Sequence, residues 1–155
     1  MKSSVIAVLA TILLLPVTAQ ASEYIYSREI QGEFTHIYDQ VHKALEQARF
    51  YVIFEANIGK NLKRNASRWG EDYNRNGYEE VRSLVICNPW YANQMLNLDP
   101  ELIAACPFSV SILYRKGTAT VLFERPAHLA QGRAADLMWE VENTIVTALD
   151  TVKAD

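Results

Sequence analysis

Residues 87–107 read CNPWYANQMLNLDPELIAACP, and the fold is predicted to be organised around this stretch. The Asn88 side chain can cap a helix N-terminus, and Pro89 has the fixed φ that suits a first helical position. Asp99-Pro100 repeats this signal eleven residues later, which predicts a second, short helix. An apolar run on each side of the stretch predicts one strand before it and another after it.

The rest of the chain alternates between strand and helix patterns. Apolar residues at every second position predict strands, and apolar residues three and four apart predict amphipathic helices. The strands are expected at 24–30, 50–56, 80–87, 108–115 and 118–125, and the helices at 33–49, after residue 57, at 89–98, after residue 99 and along 134–152. This order predicts an α+β fold with two layers, a mixed five-stranded sheet with helices packed on one side.

Residues 1–21 have the layout of a secretory signal peptide. Lys2 precedes an apolar run from Val5 to Val17, and Ala19-Gln20-Ala21 supplies the small residues that signal peptidase needs. The run is shorter than the roughly 20 residues that span a bilayer, so cleavage is expected and an uncleaved anchor is the alternative. We therefore predict an exported protein, periplasmic or secreted, with one domain over residues 22–155 and no membrane span after cleavage.

Composition excludes several classes of function. The chain has 15 basic and 18 acidic side chains, which give a formal charge of −3. Nucleic acid phosphates attract a basic surface, so a nucleic acid partner is not expected. Half of the residues are hydrophobic, which excludes intrinsic disorder. No motif predicts a cofactor.

Cys87 and Cys106 are the only two cysteines of the chain. In an exported protein such a pair most often forms a structural disulfide. A bridge here would close a loop of about 20 residues and stabilise the fold by roughly 3 kcal/mol on chain-entropy grounds. Two alternatives stay open, namely two buried free thiols and a redox-active thiol pair, although no CxxC spacing is present.

Residues 72–80, DYNRNGYEE, resemble the first half of a calcium-binding loop. Oxygen-bearing side chains fall at positions one, three, five and nine of such a loop: Asp72, Asn74, Asn76 and Glu80. Gly77 permits the sharp turn at position six, but Ser83 replaces the bidentate glutamate at position twelve. An ordinary Asn-Gly turn is therefore the preferred interpretation, and a calcium site is the alternative.

The C-terminal helix has a wider apolar stripe than one sheet face covers. Trp139 and Val146 widen this stripe, and Trp90 adds an aromatic side chain at the start of the helix after Cys87. A large exposed aromatic residue beside an apolar flank usually marks a contact surface. These three residues are therefore candidates for an interface or a ligand site. The alternative is that Trp139 packs under the loop at Asp72 or against another part of the same chain.

Over nearly all of its predicted mature part, the chain resembles the domain-of-unknown-function 302 family. The resemblance rests on a Phe-initiated helix followed by Phe50-Tyr-Val-Ile, a strand that ends in Cys87-Asn-Pro89, and a Leu-Asp-Pro step. A further strand opens after a Cys/Pro pair, and Pro126 closes the hairpin. Family members usually have Pro before Cys in that pair, whereas Cys106 precedes Pro107 here. The resemblance implies a compact α/β fold and a homodimer, and it implies no established activity.

No catalytic residues are predicted. The chain lacks a Gly-x-Ser-x-Gly motif, and the adjacent carboxylates Glu79 and Glu80 point to opposite faces of a strand. We therefore predict a non-catalytic module that binds a small apolar ligand or a protein partner. The alternative is a thiol-dependent redox protein that uses Cys87 and Cys106.

Overall fold

The computed structural model describes residues 23–154, which form one five-stranded sheet with helices. The predicted signal peptide lies outside the described residues. The strands are β1 (Ile25–Gln31), β2 (Tyr51–Asn57), β3 (Glu80–Cys87), β4 (Phe108–Arg115) and β5 (Thr118–Glu124). Their order across the sheet is β1-β5-β4-β3-β2.

The α+β fold is confirmed, but the sheet is antiparallel throughout rather than mixed. A mixed sheet, as predicted, would need at least one parallel pair of strands. The structure instead places β1 and β2 at opposite edges of the sheet, with three strands between them. The connection from β1 through α1 to β2 therefore crosses the whole sheet and does not join two neighbouring strands.

Within residues 23–154, five α-helices accompany the sheet: α1 (Phe34–Gln47), α2 (Ile58–Lys63), α3 (Ala66–Trp69), α4 (Pro89–Leu98) and α5 (Arg133–Asp150). Three 3₁₀ helices lie at Gly70–Asp72, Pro100–Ala105 and Pro126–Leu129. None of the helices within residues 23–154 combines the length and the apolar character that crossing a membrane requires.

The hydrophobic core lies between the sheet and the two long helices. Ile37, Val41 and Leu45 recur every four residues on α1 and are fully buried, as the amphipathic spacing predicts. The same core contains buried side chains from α5 and from β3, β4 and β5: Val141, Ile145, Leu149, Leu84, Ile86, Val110, Ile112, Val121 and Phe123. One face of the sheet is thus covered by α1 and α5.

The helix starts predicted after Cys87 and at Asp99 are both present. The Asn88 side-chain oxygen accepts hydrogen bonds from the backbone N–H groups of Trp90 (2.9 Å) and Tyr91 (3.3 Å). Asp99 accepts one from the N–H of Glu101 at 3.1 Å and begins a 3₁₀ helix. Side-chain oxygens thus satisfy N–H groups that a helix start leaves without an intrahelical partner.

Strand β1 holds the end of α5 against the sheet. Arg28 donates hydrogen bonds to the carbonyl oxygens of Leu149 and Val152, both at 2.7 Å. The Tyr26 hydroxyl donates to Asp150 at 2.8 Å, and burial together with this carboxylate raises the pKa of Tyr26 to about 12. The two Arg28 contacts thus satisfy carbonyl groups in the last turn of α5 and just beyond its end.

Strand β2 forms an exposed edge of the sheet. Its pairing with β3 is irregular between Val52 and Phe54, and the Val52 N–H donates instead to the Glu46 side chain on α1 at 2.9 Å. Phe54 is 62% exposed, and Ile53 is exposed to a similar extent. The structure therefore leaves two large apolar side chains in solvent beside the start of α2.

Candidate functional site

A cavity of about 540 Å³ lies at the end of the sheet where β4 begins and β5 ends. We call it the end cavity. Its inner wall contains the buried side chains of Leu102, Phe108 and Phe123, and its outer parts lie against the 3₁₀ helices at Pro100–Ala105 and Pro126–Leu129. The end cavity is thus a concave site with an apolar inner wall.

Three carboxylates, Asp99, Glu101 and Glu124, also line the end cavity. Asp99 accepts the N–H of Glu101 as a helix cap, while Glu101 and Glu124 are exposed at the rim. No lysine, arginine or histidine is among the described residues that line it. The electrostatic character of the entrance is therefore acidic.

Glu142 of α5 holds one wall of the end cavity in place. Although it is only 7% exposed, its carboxylate accepts a hydrogen bond from Arg125 at 2.8 Å and one from the N–H of Ala127 at 3.2 Å. These two residues flank Pro126, which lines the cavity. Sequence reasoning missed Glu142. Its position within the buried stripe of α5, next to Val141, is the signal that could have found it.

Cys87 and Cys106 lie close together but are both free thiols. Their Sγ atoms are 3.9 Å apart, compared with about 2.05 Å in a disulfide. Burial is the main cause that raises the pKa of the Cys106 thiol to about 11, and the adjacent Cys87 thiol adds to this rise. Cys106 packs against the core, and Pro107, the next residue, lines the end cavity. The two thiols therefore lie between the end of β3 and the wall of the cavity.

Most of the candidate calcium ligands have partners within the chain. Asp72 pairs with Arg75, and the carboxylate of Glu80 accepts a hydrogen bond from Arg82 at 2.9 Å. The Asn74 side chain bonds to both the N–H and the carbonyl of Tyr78, at 2.9 Å and 2.8 Å. Within residues 23–154, no group of three or more His, Cys, Asp or Glu side chains could hold a metal ion. Calcium binding stays the untested alternative to an ordinary turn.

Asn76 is the remaining candidate calcium ligand, and its backbone carbonyl accepts a hydrogen bond from Arg115 at 2.9 Å. Gly77 has a positive φ of 66°, which the turn interpretation favours, and its N–H donates to the carbonyl of Asn74 at 2.8 Å. The loop is therefore explained by its own turn contacts.

Trp139 is 63% exposed, so the alternative that it packs under the loop at Asp72 is wrong. Trp90 is equally exposed at the start of α4, whereas Val146 is half-buried and packs against the core. The Tyr91 hydroxyl donates to Glu140 at 2.8 Å, which joins the two helices that carry the tryptophans. None of the three candidate residues lines the end cavity.

Trp139 borders a second concavity, of about 480 Å³, which runs between α1 and α5. Ala44, Ala48 and Ala148 contribute small side chains to this groove. Trp139 is thus exposed beside this groove and Val146 is half-buried, and a role of either residue in an interface or a ligand site stays a prediction.

Comparison with known proteins identifies the family. The family model described as "Domain of unknown function DUF302" matches residues 26–152. The chain belongs to the DUF302 family. The match covers the sheet from β1 to β5 and extends to the end of α5, so it includes both the end cavity and the two cysteines. The resemblance noted from the sequence is therefore confirmed.

A solved DUF302 structure has the same fold. The crystal structure of an uncharacterized conserved DUF302 protein from Bacillus stearothermophilus is 17% identical to this chain, with a TM-score of 0.73. The similarity covers 85% of this chain and 100% of that one. At this identity the likeness shows the fold alone. No curated protein matches the chain significantly.

Proposed function

We propose that this DUF302 domain is a binding module that holds a small, largely apolar molecule in the end cavity. The observation that carries the proposal is the volume of about 540 Å³ next to buried Leu102, Phe108 and Phe123. Pockets for small ligands usually enclose about 300–1,000 Å³, and the end cavity lies within this range. The proposal keeps the exported location that the signal peptide pattern predicts.

The carboxylates at the entrance define the charge of the ligand. Glu101 and Glu124 repel an anion, and no basic group among the described lining residues offsets them. A neutral or cationic molecule with an apolar body meets no such repulsion. The expected ligand class is therefore neutral or cationic, and anionic ligands such as fatty acids are disfavoured.

The proposal is tested with two dyes of similar shape and different charge. We expect fluorescence titration to show binding of neutral N-phenylnaphthylamine and weaker binding of anionic anilinonaphthalene sulfonate. Ala104→Trp places an indole ring in the end cavity and should weaken binding of the neutral dye at least about tenfold. Ala154→Trp, an exposed alanine that does not line the cavity, is the matched control. Equal binding by both variants would contradict the proposal.

A thiol-dependent redox function is the second candidate, and the 3.9 Å approach of Cys87 and Cys106 favours it. Reactive thiols usually have a lowered pKa, whereas burial raises the pKa of Cys106 to about 11, which disfavours its thiolate. Alkylation by iodoacetamide at neutral pH separates the two functions. A fast reaction supports redox chemistry, whereas slow alkylation and a bridge that resists mild reductant remove it.

We also propose that two copies of the chain associate through the surface around Trp139. The support is the exposed indole beside the small side chains of Ala44 and Ala48, together with the homodimer that the family resemblance implies. Burying a large exposed aromatic side chain is a common source of association energy. Native mass spectrometry should show a dimer that Trp139→Ser weakens. A monomer at micromolar concentration would contradict this proposal.

A further inference from the structure

Residues 58–69, which form α2 and α3, carry an unusual local charge. The segment contains Lys60, Lys63, Arg64 and Arg68 and no acidic residue, although the whole chain has a formal charge of −3. All four basic side chains are exposed. Within residues 23–154 none of the four forms an ion pair with a carboxylate. Acidic residues resume only at Glu71.

Exposed apolar side chains accompany this charge. Leu62 and Trp69 of the same segment are exposed, as are Ile53 and Phe54 of β2. Phe54 precedes the end of β2 by three residues, a distance of about 10 Å along a strand, and α2 begins at the next residue, Ile58. We call residues 58–69, together with Ile53 and Phe54, the basic corner.

The basic corner is attached to the sheet without using these side chains. The Asn57 side chain caps α2 by accepting the N–H of Lys60 at 2.8 Å. Gly59 lies so close to β3 that an added Cβ would be 3.2 Å from the Val81 nitrogen. These contacts fix the backbone of α2 beside β3, so the charged and apolar side chains remain available to a partner.

We propose that the basic corner binds the surface of an anionic lipid bilayer. Basic side chains are attracted to anionic headgroups, and this attraction adds up over a cluster of Lys and Arg. Trp is enriched at the membrane–water interface, where its ring lies at the level of the headgroups. A peripheral anchor combines these two elements, basic charge and apolar side chains that enter the headgroup region. The basic corner provides both without a membrane-spanning helix.

Charge distinguishes the basic corner from the other exposed aromatic surface. Trp139 is more exposed than Trp69, but its neighbour along the chain is Glu140, and Asp136 lies one turn earlier on α5. An anionic bilayer repels those carboxylates. An exposed indole is therefore not enough to identify the membrane-binding surface. The basic side chains around Trp69 are what favour the basic corner over the surface around Trp139.

Vesicle co-sedimentation tests the proposal. The protein is purified from its host in the mature form that the host produces. We expect binding to vesicles of phosphatidylcholine mixed with phosphatidylglycerol, little binding to phosphatidylcholine alone, and a steep loss of binding as salt rises. The double variant Lys63→Glu/Arg64→Glu should bind at least about thirtyfold more weakly, because each reversal replaces an attraction by a repulsion. Circular dichroism should show that this variant retains its fold.

The double variant Arg133→Glu/Lys153→Glu is the matched control. It changes the net charge by the same amount at two exposed basic residues outside the basic corner, so it should bind the mixed vesicles within about threefold of the unmodified protein. All variants share the same N-terminus, so residues 1–21 contribute equally to each. The proposal is overturned if the two double variants lose binding equally, if the protein ignores anionic vesicles, or if it prefers RNA to them.

Discussion

The end cavity and residues 58–69 of the basic corner lie at opposite ends of the same sheet and are built in different ways. The cavity lies where β4 begins, and the basic corner lies where β3 begins, beside the end of β2. Buried side chains and the contacts of Glu142 hold the cavity walls, whereas the basic side chains of the corner are exposed and form no ion pair within the described chain. One region is a preformed concave site, and the other is an exposed basic surface.

The two proposals assign a different kind of partner to each region. A small molecule gains affinity when the walls around it are already in position, because less ordering is required on binding. A bilayer surface is broad and fluid, so exposed charge and a few apolar side chains suffice to attract it. Changes near the cavity should therefore affect stability strongly, and changes at the corner should affect it weakly.

The largest expected effect is oxidation of Cys87 and Cys106. With oxidised glutathione as the oxidant, the two thiols lose two protons and two electrons to form one disulfide. The closed loop of about 20 residues should raise the free energy of unfolding by roughly 3 kcal/mol relative to the reduced protein. Urea denaturation with and without reductant measures this difference.

Cys87→Ser is the control for this prediction and should show no gain under the oxidant. If oxidation leaves the unmodified protein no more stable than this variant, the two thiols do not form a stabilising bridge. The cavity end would then depend on packing and on Glu142 alone.

The second effect is loss of the Glu142 contacts. Glu142→Ala leaves Arg125 and the Ala127 N–H without their partner and should lower the free energy of unfolding by about 2 kcal/mol. Glu140→Ala, two residues away, removes only an exposed contact with Tyr91 and should cost less than about 1 kcal/mol. Equal losses in urea denaturation would mean that the cavity wall does not depend on the buried carboxylate.

The smallest effect is expected at the basic corner. Lys63→Glu/Arg64→Glu alters two exposed side chains that have no ion pair among the described residues, so the free energy of unfolding should change by no more than about 0.5 kcal/mol for each substitution. A thermal melt compared with that of the unmodified protein measures the change. A large loss of stability would show that the corner is part of the structural framework, and the contrast with the cavity would fail.

Local patterns of the sequence predicted the elements of this fold well. The spacing of Ile37, Val41 and Leu45 predicted the buried face of α1, and the caps at Asn88 and Asp99 predicted two helix starts. These features depend on residues a few positions apart, which a single sequence displays directly.

Contacts between distant residues could not be predicted in the same way. The antiparallel order of the sheet depends on which strands meet, and the end cavity is formed by segments that converge only in the folded chain. The role of Glu142 depends on Arg125, which lies 17 positions away. The alternation in β2 predicted a strand but did not show that it would be an exposed edge.

Hydrogen–deuterium exchange with each partner in turn tests the central claim, that the two ends of the sheet bind different partners. With saturating N-phenylnaphthylamine, we expect slower exchange in residues 100–109 and 123–129 and no change in residues 53–69, because a bound ligand stabilises the segments that contact it. With anionic vesicles, we expect the opposite pattern. Protection of residues 53–69 by the dye, or protection at neither end by either partner, would contradict the account.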